Sequence, residues 1–586
     1  MNPAPSRARP PQIRFRPPAA PANVPGPMPS DSRPPSPLPL LLLAAGVIAA
    51  YATTFAVPFV FDDLAAVTRN PSIEHLATAF FPPDGLSVTG RPLVNASLAL
   101  NFALSGTAVW SYHAFNLGLH LGCAALLYTL LRRLSALGGD AGLAAAITAL
   151  WALHPLQTAA VTYVMQRSEL LVSVGLLGTL VAFARATDPQ RPAAARHRWL
   201  AVSVLVCAAG MAAKEVMVVA PLLVLFYDRT FVAGRLGAAW RLRRGYYLAL
   251  AGTWGVLAAV TLTGDNRGAS AGLAAAMAPT DYALTQLAAI PHYLRLMLWP
   301  SPLVFDYGNA LITDPVRLGV GAALVAGLLL GIAVTWRRRP TVAFAGAAFF
   351  LLLAPSSSVV PIATQTLAEH RVYLALAAPL AVVAVGTRRW LGARGTGIIL
   401  LLAIALGAGT LLRNRDYASV ATLWRDTAEK VPANARAHYN LGLSLGSTGD
   451  PTGARAAFTS AVAHEPTHRE ARSRLAESLL EAGRPAEALV HQRALLATAP
   501  SSALAHYSVA VPLLMLGRSA EALPLLQEAV RLDPNRAEVR FNFGRALTEA
   551  GRFEEALIQF DAAAQLDPAD PAARNSAERI RAYLRR

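Results

Sequence analysis

From residue 39 to residue 412 long apolar runs alternate with short basic connections, and after residue 412 the apolar positions fall into a regular amphipathic rhythm. The first run is Pro39 to Val57. Others span roughly 110–131, 143–163, 168–184, 199–213, 215–227, 246–262, 316–335, 341–354, 371–387 and 395–412. An α-helix needs ~20 apolar residues to cross the hydrocarbon core of a bilayer, so these runs are predicted membrane spans. The connections Arg132-Arg133, Arg185 to Arg198, Arg229 to Arg244, Arg337 to Arg339 and Arg388 to Arg394 carry the positive charge that marks a cytoplasmic side. Holding all of them there gives about eleven spans, a cytoplasmic N-terminus and an extracytoplasmic segment after residue 412. Tyr282 to Leu298 breaks that alternation as a full span and reads as a juxtamembrane or re-entrant helix. One miscounted short run would reverse the orientation. Residues 1–37, rich in Pro and Arg, lack the large apolar side chains of a core and read as a disordered cytoplasmic tail. That tail is too long and proline-dense for the start of a signal peptide, so Pro39 to Val57 reads as a retained span.

Prolines recur at 432, 466, 500, 534 and 568, and glycines at 449, 483, 517 and 551, in both cases every 34 residues. A 34-residue period with Gly between two helices and Pro after the second is the tetratricopeptide signature. Gly442, Ala454, Phe458 and Ala461 fill the small and large packing positions of one repeat, and Gly544, Ala556, Phe560 and Ala563 those of another. Four full repeats are predicted, preceded by the second helix of a partial one in SVATLWRDTAEKVP and closed by a polar capping helix over 571–586. The predicted fold is all-α: a polytopic membrane helical bundle over 38–412, then a tetratricopeptide-repeat α-solenoid over 413–586.

Composition agrees with this division. Of 586 residues, 54% are hydrophobic and only 15% charged, too apolar for an ordinary soluble protein. A formal net charge of +17 raises the question of nucleic acid, but the arginines sit mostly between apolar runs, where membrane topology accounts for them. Lysine occurs only as Lys214 and Lys430, and the Ala, Gly and Arg bias suggests a GC-rich bacterial genome; with the topology above, the expected place is the bacterial inner membrane with the repeats on the periplasmic side. Cys123 and Cys207 lie inside apolar runs, where no structural disulfide is expected.

Two adjacent acids, Asp62 and Asp63, follow the first span where the chain reaches water. Such a pair can cap a loop helix, or supply a general base whose carboxylate is tuned by partial burial at the membrane surface. The motifs around it bear on the choice. FVFDD followed by NP, then RPLVNASLALN, YHAFNLGLH, ALHPLQTAAVTYVMQRSELL, KEVMVVAPLLVLFYD and EHRVYL precede the repeats in that order. Together they resemble the transmembrane and tetratricopeptide-repeat O-mannosyltransferases and their bacterial relatives, of the GT-C class of glycosyltransferases. The resemblance covers roughly residues 40–586. It implies a GT-C-like bundle that takes a sugar from a polyprenyl-phosphate carrier outside the cytoplasm and transfers it with inversion. An acid in the first external loop would be the base on the acceptor hydroxyl; Asp62 matches that position, with Asp63 as its support. Mannose is implied by the family alone. The departing lipid phosphate needs a cation. Arg91 in GRPL resembles the basic residue before proline in several GT-C enzymes, and Arg371, at the outer end of a late span, is the second candidate. Arg91 could equally anchor lipid headgroups.

Charged residues in or beside apolar runs are costly unless paired or functional. Lys214 with Glu215, and Arg167 with Glu169, therefore read either as structural ion networks or as part of a donor or sugar pocket. His154, which with Pro155 marks the outer end of the third span, and Glu369 and His370 of EHRVYL are further pocket candidates. His113, Asn116 and His120 share one helix face, and the histidines stand two turns, ~10 Å, apart, too far to share a metal, so interhelical hydrogen bonds are expected. No metal-ligand cluster, Gly-rich phosphate loop or catalytic Ser–His signature is present, so no cofactor is expected beyond the lipid-linked sugar substrate; the adjacent acids leave metal dependence open. Asn440 and Asn542 hold equivalent first-helix positions and could touch an acceptor backbone, although Arg474 and Ser508 interrupt that ladder. The expected partners are the lipid bilayer, a polyprenyl-phosphate sugar and an acceptor protein, with no nucleic acid. Two other functions compete: a polysaccharide ligase or polymerase, and a non-catalytic membrane-anchored scaffold for envelope proteins. The first is expected to carry its charges in a large late external loop, whereas APSSSVVPIATQTLAEHR is short and the acids follow the first span. The second predicts that Asp62, Asp63 and Arg91 can be neutralised without effect. A transporter would gather ionisable residues near the bilayer midplane; here they gather at one face.

Overall fold

The computed structural model describes residues 37–134, 137–262, 277–358 and 360–586, so the tail expected over 1–37 lies outside the described residues but for Pro37. Among the described residues the regular elements are all helical. The membrane half contains α1 (Leu38–Ala50), α2 (Pro92–Ser105), α3 (Val109–Leu131), α4 (Ala141–Ala152), α5 (Thr158–Thr162), α6 (Arg167–Ala186), α7 (Ala193–Met211) and α8 (Ala220–Phe231). It continues with α9 (Leu236–Gly252), α10 (Trp254–Leu262), α11 (Pro279–Leu298), α12 (Pro315–Arg338), α13 (Pro340–Leu353), α14 (Ala377–Leu391) and α15 (Ala393–Arg415).

Five helical stretches are long and apolar enough to cross a membrane: Val109–Leu131, Val164–Ala186, Leu236–Leu262 (α9 with α10), Pro315–Arg338 and Ala393–Arg415. The expected span over 143–163 is instead a pair, Ala141–Ala152 and Pro155–Thr162, bent by 55°. Pro155 offers no N–H to continue the helix, and the His154 ring caps the new start by accepting from the Leu156 N–H. By length and composition, five of the eleven expected spans are met among the described residues, or six if the bent pair is one span. α1 and α13 are apolar but only 13 and 14 residues long. Tyr282 to Leu298 falls within α11, a 20-residue helix that packs on α12 where Gly321 leaves no room for a side chain against the Leu287 carbonyl. Exposed Val316, Val320, Leu329, Leu330, Leu401 and Ile404 form the apolar exterior of α12 and α15 expected of a lipid-facing wall.

Inside the bundle the polar face of α3 is spent on neighbouring backbone. His113 Nε2 meets the Val57 carbonyl at 2.9 Å, Asn116 donates to the Val161 carbonyl, and His120 joins the Tyr373 hydroxyl at 2.6 Å and the Ala152 carbonyl at 3.0 Å. Asn116 and His120 thus bond helix to helix as their shared face predicts, whereas His113 holds the extended chain at Val57.

The solenoid follows almost directly. α16 (Val420–Lys430) is the half repeat, and α17 (Ala435–Ser447), α19 (Arg469–Glu481), α21 (Ala503–Met515) and α23 (Ala537–Glu549) are the first helices of four repeats. Their partners are α18 (Pro451–His464), α20 (Pro485–Thr498), α22 (Ser519–Leu532) and α24 (Phe553–Leu566), and α25 (Pro571–Leu584) caps the array. The glycines at 449, 483, 517 and 551 all hold positive φ between the two helices of each repeat, the conformation that only glycine adopts freely.

Candidate functional site

The segment after α1 returns to the bundle through a strained residue. Phe61 has φ +49°, a left-handed conformation that a bulky residue holds only when its surroundings impose it. Its ring stands edge-on to Phe305 and Trp424, with centroids 6.4 and 5.6 Å away. The two acids that follow diverge. Asp63 is 1% exposed and accepts from the Val60 N–H at 3.1 Å and the Met165 N–H at 2.7 Å, tying the loop to the turn just ahead of α6. Burial pushes its carboxyl up to about 8 against those two donors. Asp62 is only half-buried, and its N–H donates to the Tyr163 hydroxyl at 3.2 Å. Burial raises the Asp62 carboxyl above the ordinary range; the Tyr163 hydroxyl and the charges of Arg436 and Arg91 oppose that rise, and Asp306 adds to it.

One of the charges acting on Asp62 belongs to a basic group. Arg91, at the start of α2, pairs with Glu215 at 3.3 Å, and Lys214 pairs with Glu169 at 2.6 Å with both nearly buried. His370 is half-buried beside them; burial lowers its imidazole well below the ordinary value, and Lys214, Arg371 and Arg91 lower it further. The structure thus brings Arg91, Glu169, Lys214, Glu215, His370 and Arg371 into one neighbourhood, three cations against two carboxylates, and Arg91 acts on both Asp62 and His370.

Arg371 and the remaining candidates spend their polar groups on the fold itself. Arg371 spends its guanidinium on the Tyr282 hydroxyl and the carbonyls of Ser356, Thr366 and Gln365, stapling α11 to the stretch before α14. Arg167 is buried against Ser97, Asn101 and the Tyr112 carbonyl, with its guanidinium 5.0 Å from the Phe115 ring centre. His154 is fully buried and uses both ring nitrogens within the bend, on Leu156 and on the Met297 carbonyl. Glu369 turns away from His370 to accept from the Val304 N–H and the Tyr307 hydroxyl. Asn440 donates to the Arg436 carbonyl one turn back, and Asn542 to Tyr507 and the Glu538 carbonyl. Among the described residues no group of three or more His, Cys, Asp or Glu is arranged to hold a metal ion.

The solenoid docks within electrostatic reach of Asp62 as well. Arg436 of α17 grips Asp306, in the loop after α11, through two hydrogen bonds of 2.6 and 2.7 Å. Asn434 donates to the Asp306 carbonyl, and Lys430 to the Leu303 carbonyl. A cleft of about 550 Å³ opens along this junction, lined by Tyr307, Asn309, Arg436, His464, His468 and Glu470 among others. Tyr163, Phe305, Asp306, Trp424 and Arg436 are residues that sequence reasoning missed. One signal was legible: the second position of each first helix reads Arg436, Glu470, Leu504 and Glu538, so the repeat itself does not ask for arginine.

A tetratricopeptide-repeat family profile matches residues 447–510 and 513–580. The Caenorhabditis elegans protein O-mannosyl-transferase F38B6.6 is 23% identical over 465 residues, 74% of this chain and 63% of the relative. The Drosophila melanogaster protein O-mannosyl-transferase Tmtc2 is 28% identical over 44% of this chain and 29% of its own length. Human TMTC3, a protein of the same description, is 29% identical over 26% and 17% respectively. The chain therefore spans less than two thirds of these relatives. Among solved structures, the tetratricopeptide protein YrrB, described as having an unusual peptide-binding site, aligns with 28% of this chain and 85% of its own at 27% identity and a TM-score of 0.26. With an apolar helical bundle continuous with a tetratricopeptide solenoid, the chain is similar to these protein O-mannosyl-transferases.

Proposed function

We propose that this chain is a membrane protein O-glycosyltransferase that moves a sugar, mannose by analogy with its relatives, from a polyprenyl-phosphate carrier to Ser or Thr hydroxyls of exported proteins. The observation that carries the reading is the position of Asp62, half-buried and raised in basicity between the basic group of Arg91 and the first repeat. Asp62 takes the acceptor hydroxyl's proton as that oxygen attacks the anomeric carbon. The new C–O bond forms as the bond from that carbon to the lipid phosphate breaks, and polyprenyl phosphate departs with the electron pair, inverting the sugar. Arg91 meets the phosphate charge, held in place by Glu215, with Lys214 and His370 at its side. Both reactants are held at one membrane face, so positioning and charge stabilisation do most of the work. Asp63 does not share the proton transfer; it fixes the loop. The bundle to about residue 412 carries the chemistry on the extracytoplasmic side of a bacterial inner membrane, and the repeats present the acceptor, with the cleft at their junction as its approach.

Intact-glycopeptide mass spectrometry on envelope proteins from cells with the wild-type chain, Asp62→Asn or a deletion tests this. Hexose on Ser or Thr is expected in wild type and absent from both others, with the variant still in the membrane. If Asp62→Asn matches wild type, Asp62 is not the base; if the deletion changes no glycopeptide, protein glycosylation is the wrong activity.

A further inference from the structure

We infer that Arg436, on the first repeat helix, is a positioning residue for Asp62: with Asp306 it forms a charged clamp between solenoid and bundle that fixes the acid's backbone and shapes the field in which it works. The inference deepens the transferase reading and rests on it for its consequence in catalysis.

Asp306 is 1% exposed and takes Arg436 in the bidentate arrangement that planar guanidinium and carboxylate favour. The Arg436 guanidinium also lies 5.7 Å from the centre of the Phe61 ring. Phe61 immediately precedes Asp62 and holds the left-handed backbone that aims it. A strained residue stays in place only while its side chain is held, and this ring is held by Phe305, Trp424 and Arg436. Trp424 belongs to α16 and Arg436 to α17, so two of the three come from the solenoid half. The repeats are therefore more than a detachable adaptor. Their first helices complete the surroundings of the acid, and even a short Ser/Thr peptide, too small to need the solenoid for binding, depends on them.

The field at Asp62 comes from Tyr163 ahead of α6, Arg91 ahead of α2, its neighbour Asp63, and the Arg436–Asp306 pair. Within the pair the two charges oppose each other, which gives a test of sign. Removing the positive charge leaves Asp62 harder to ionise; neutralising Asp306 leaves Arg436's charge uncompensated and makes Asp62 easier to ionise.

The full-length protein in lipid nanodiscs is assayed with a short-chain polyprenyl-phosphate mannose and a Ser/Thr peptide across pH. In parallel, carbodiimide labelling of Asp62 is followed against pH by peptide mass spectrometry, which needs no activity. Arg436→Gln is expected to lower the rate at neutral pH about tenfold or more, to move the acid limb of the rate profile to higher pH, and to leave KM for the donor unchanged. Arg436→Lys restores part of the limb, and Asp306→Asn moves it the opposite way. The labelling midpoints shift with the same signs. Midpoints that move together or stay at the wild-type value overturn the clamp, and if Asp306→Asn fails to fold, the Gln and Lys variants at 436 decide alone. If the midpoints separate while no form, wild type included, transfers sugar, the clamp stands and the transferase reading falls.

Discussion

Asp62 and Asp63 share a peptide bond and little else. The left-handed turn at Phe61 sends one carboxyl inward, onto two backbone N–H groups, and leaves the other half-buried beside Tyr163. Their variants should separate accordingly. Asp62→Asn is expected to leave thermal stability near wild type and abolish transfer. Asp63→Asn forfeits one acceptor for a buried donor, and should cost about 1–3 kcal/mol in thermal unfolding of the detergent-solubilised protein. The pH dependence has a sign as well. Asp63 is raised to about 8 in the fold, against ~4 in an unfolded chain, so it favours the folded state when protonated. That stability is fully present below about pH 4 and is lost as pH rises through about 8. Wild type should therefore lose melting temperature between pH 5 and 9 more steeply than Asp63→Asn, and equal slopes would refute this. The sequence could show that an acidic pair met water after the first span. It could not show which acid turned inward, because that depends on one backbone angle. Nor could it show Asp306, 244 residues on, although Val304-Phe305-Asp306 echoes Val60-Phe61-Asp62 and the two phenylalanines meet edge to face.

At the scale of elements, legibility followed regularity. First helices begin at 435, 469, 503 and 537, in step with the 34-residue period, because each repeat meets the same packing demand. Where that demand is tight it makes a prediction. A Cβ at Gly442 would stand 2.5 Å from the Phe458 ring, and one at Gly544 2.8 Å from the Phe560 ring. Ala at either position should force the ring aside and destabilise its repeat by about 1–3 kcal/mol, seen as earlier limited proteolysis. Only Gly442→Ala should also slow transfer, since α17 carries Arg436 while α23 lies three repeats away. Equal loss of activity in both would mean that the array acts as a whole. The membrane helices were less legible. α3, α6, α12 and α15 match their apolar runs within a few residues, but the run over 143–163 hid a bend made by one proline and one capping histidine. Hydropathy averages over such a break. Similarly, the charges at Arg167 and Arg371 announced polar work inside the bundle without saying whether substrate or a neighbouring carbonyl would receive them.

For the whole molecule the question is which way it faces. Neighbouring basic connections meet: Arg133 reaches Asp188, the Arg243 guanidinium lies 5.7 Å from the Phe183 ring centre near the end of α6, and Arg229 lies over Trp336. Arg388 likewise reaches Asp140. A single basic surface is what the positive-inside rule draws to the cytoplasm. Asp62, the Asp306 loop and the solenoid gather elsewhere, around the clamp, and the proposed chemistry puts that site outside. Cysteine labelling can decide, because Cys123 and Cys207 are both buried and should stay silent. Glu554→Cys, exposed on the last repeat, should react with a membrane-impermeant maleimide in intact cells once any outer barrier is opened. Gln190→Cys, exposed between α6 and α7, should react only after the membrane itself is permeabilised. The reverse pattern would put Asp62 in the cytoplasm. There it would face nucleotide-activated sugars and an acceptor pool of cytoplasmic proteins, and the lipid-linked donor would lose its rationale along with the basic group at Arg91.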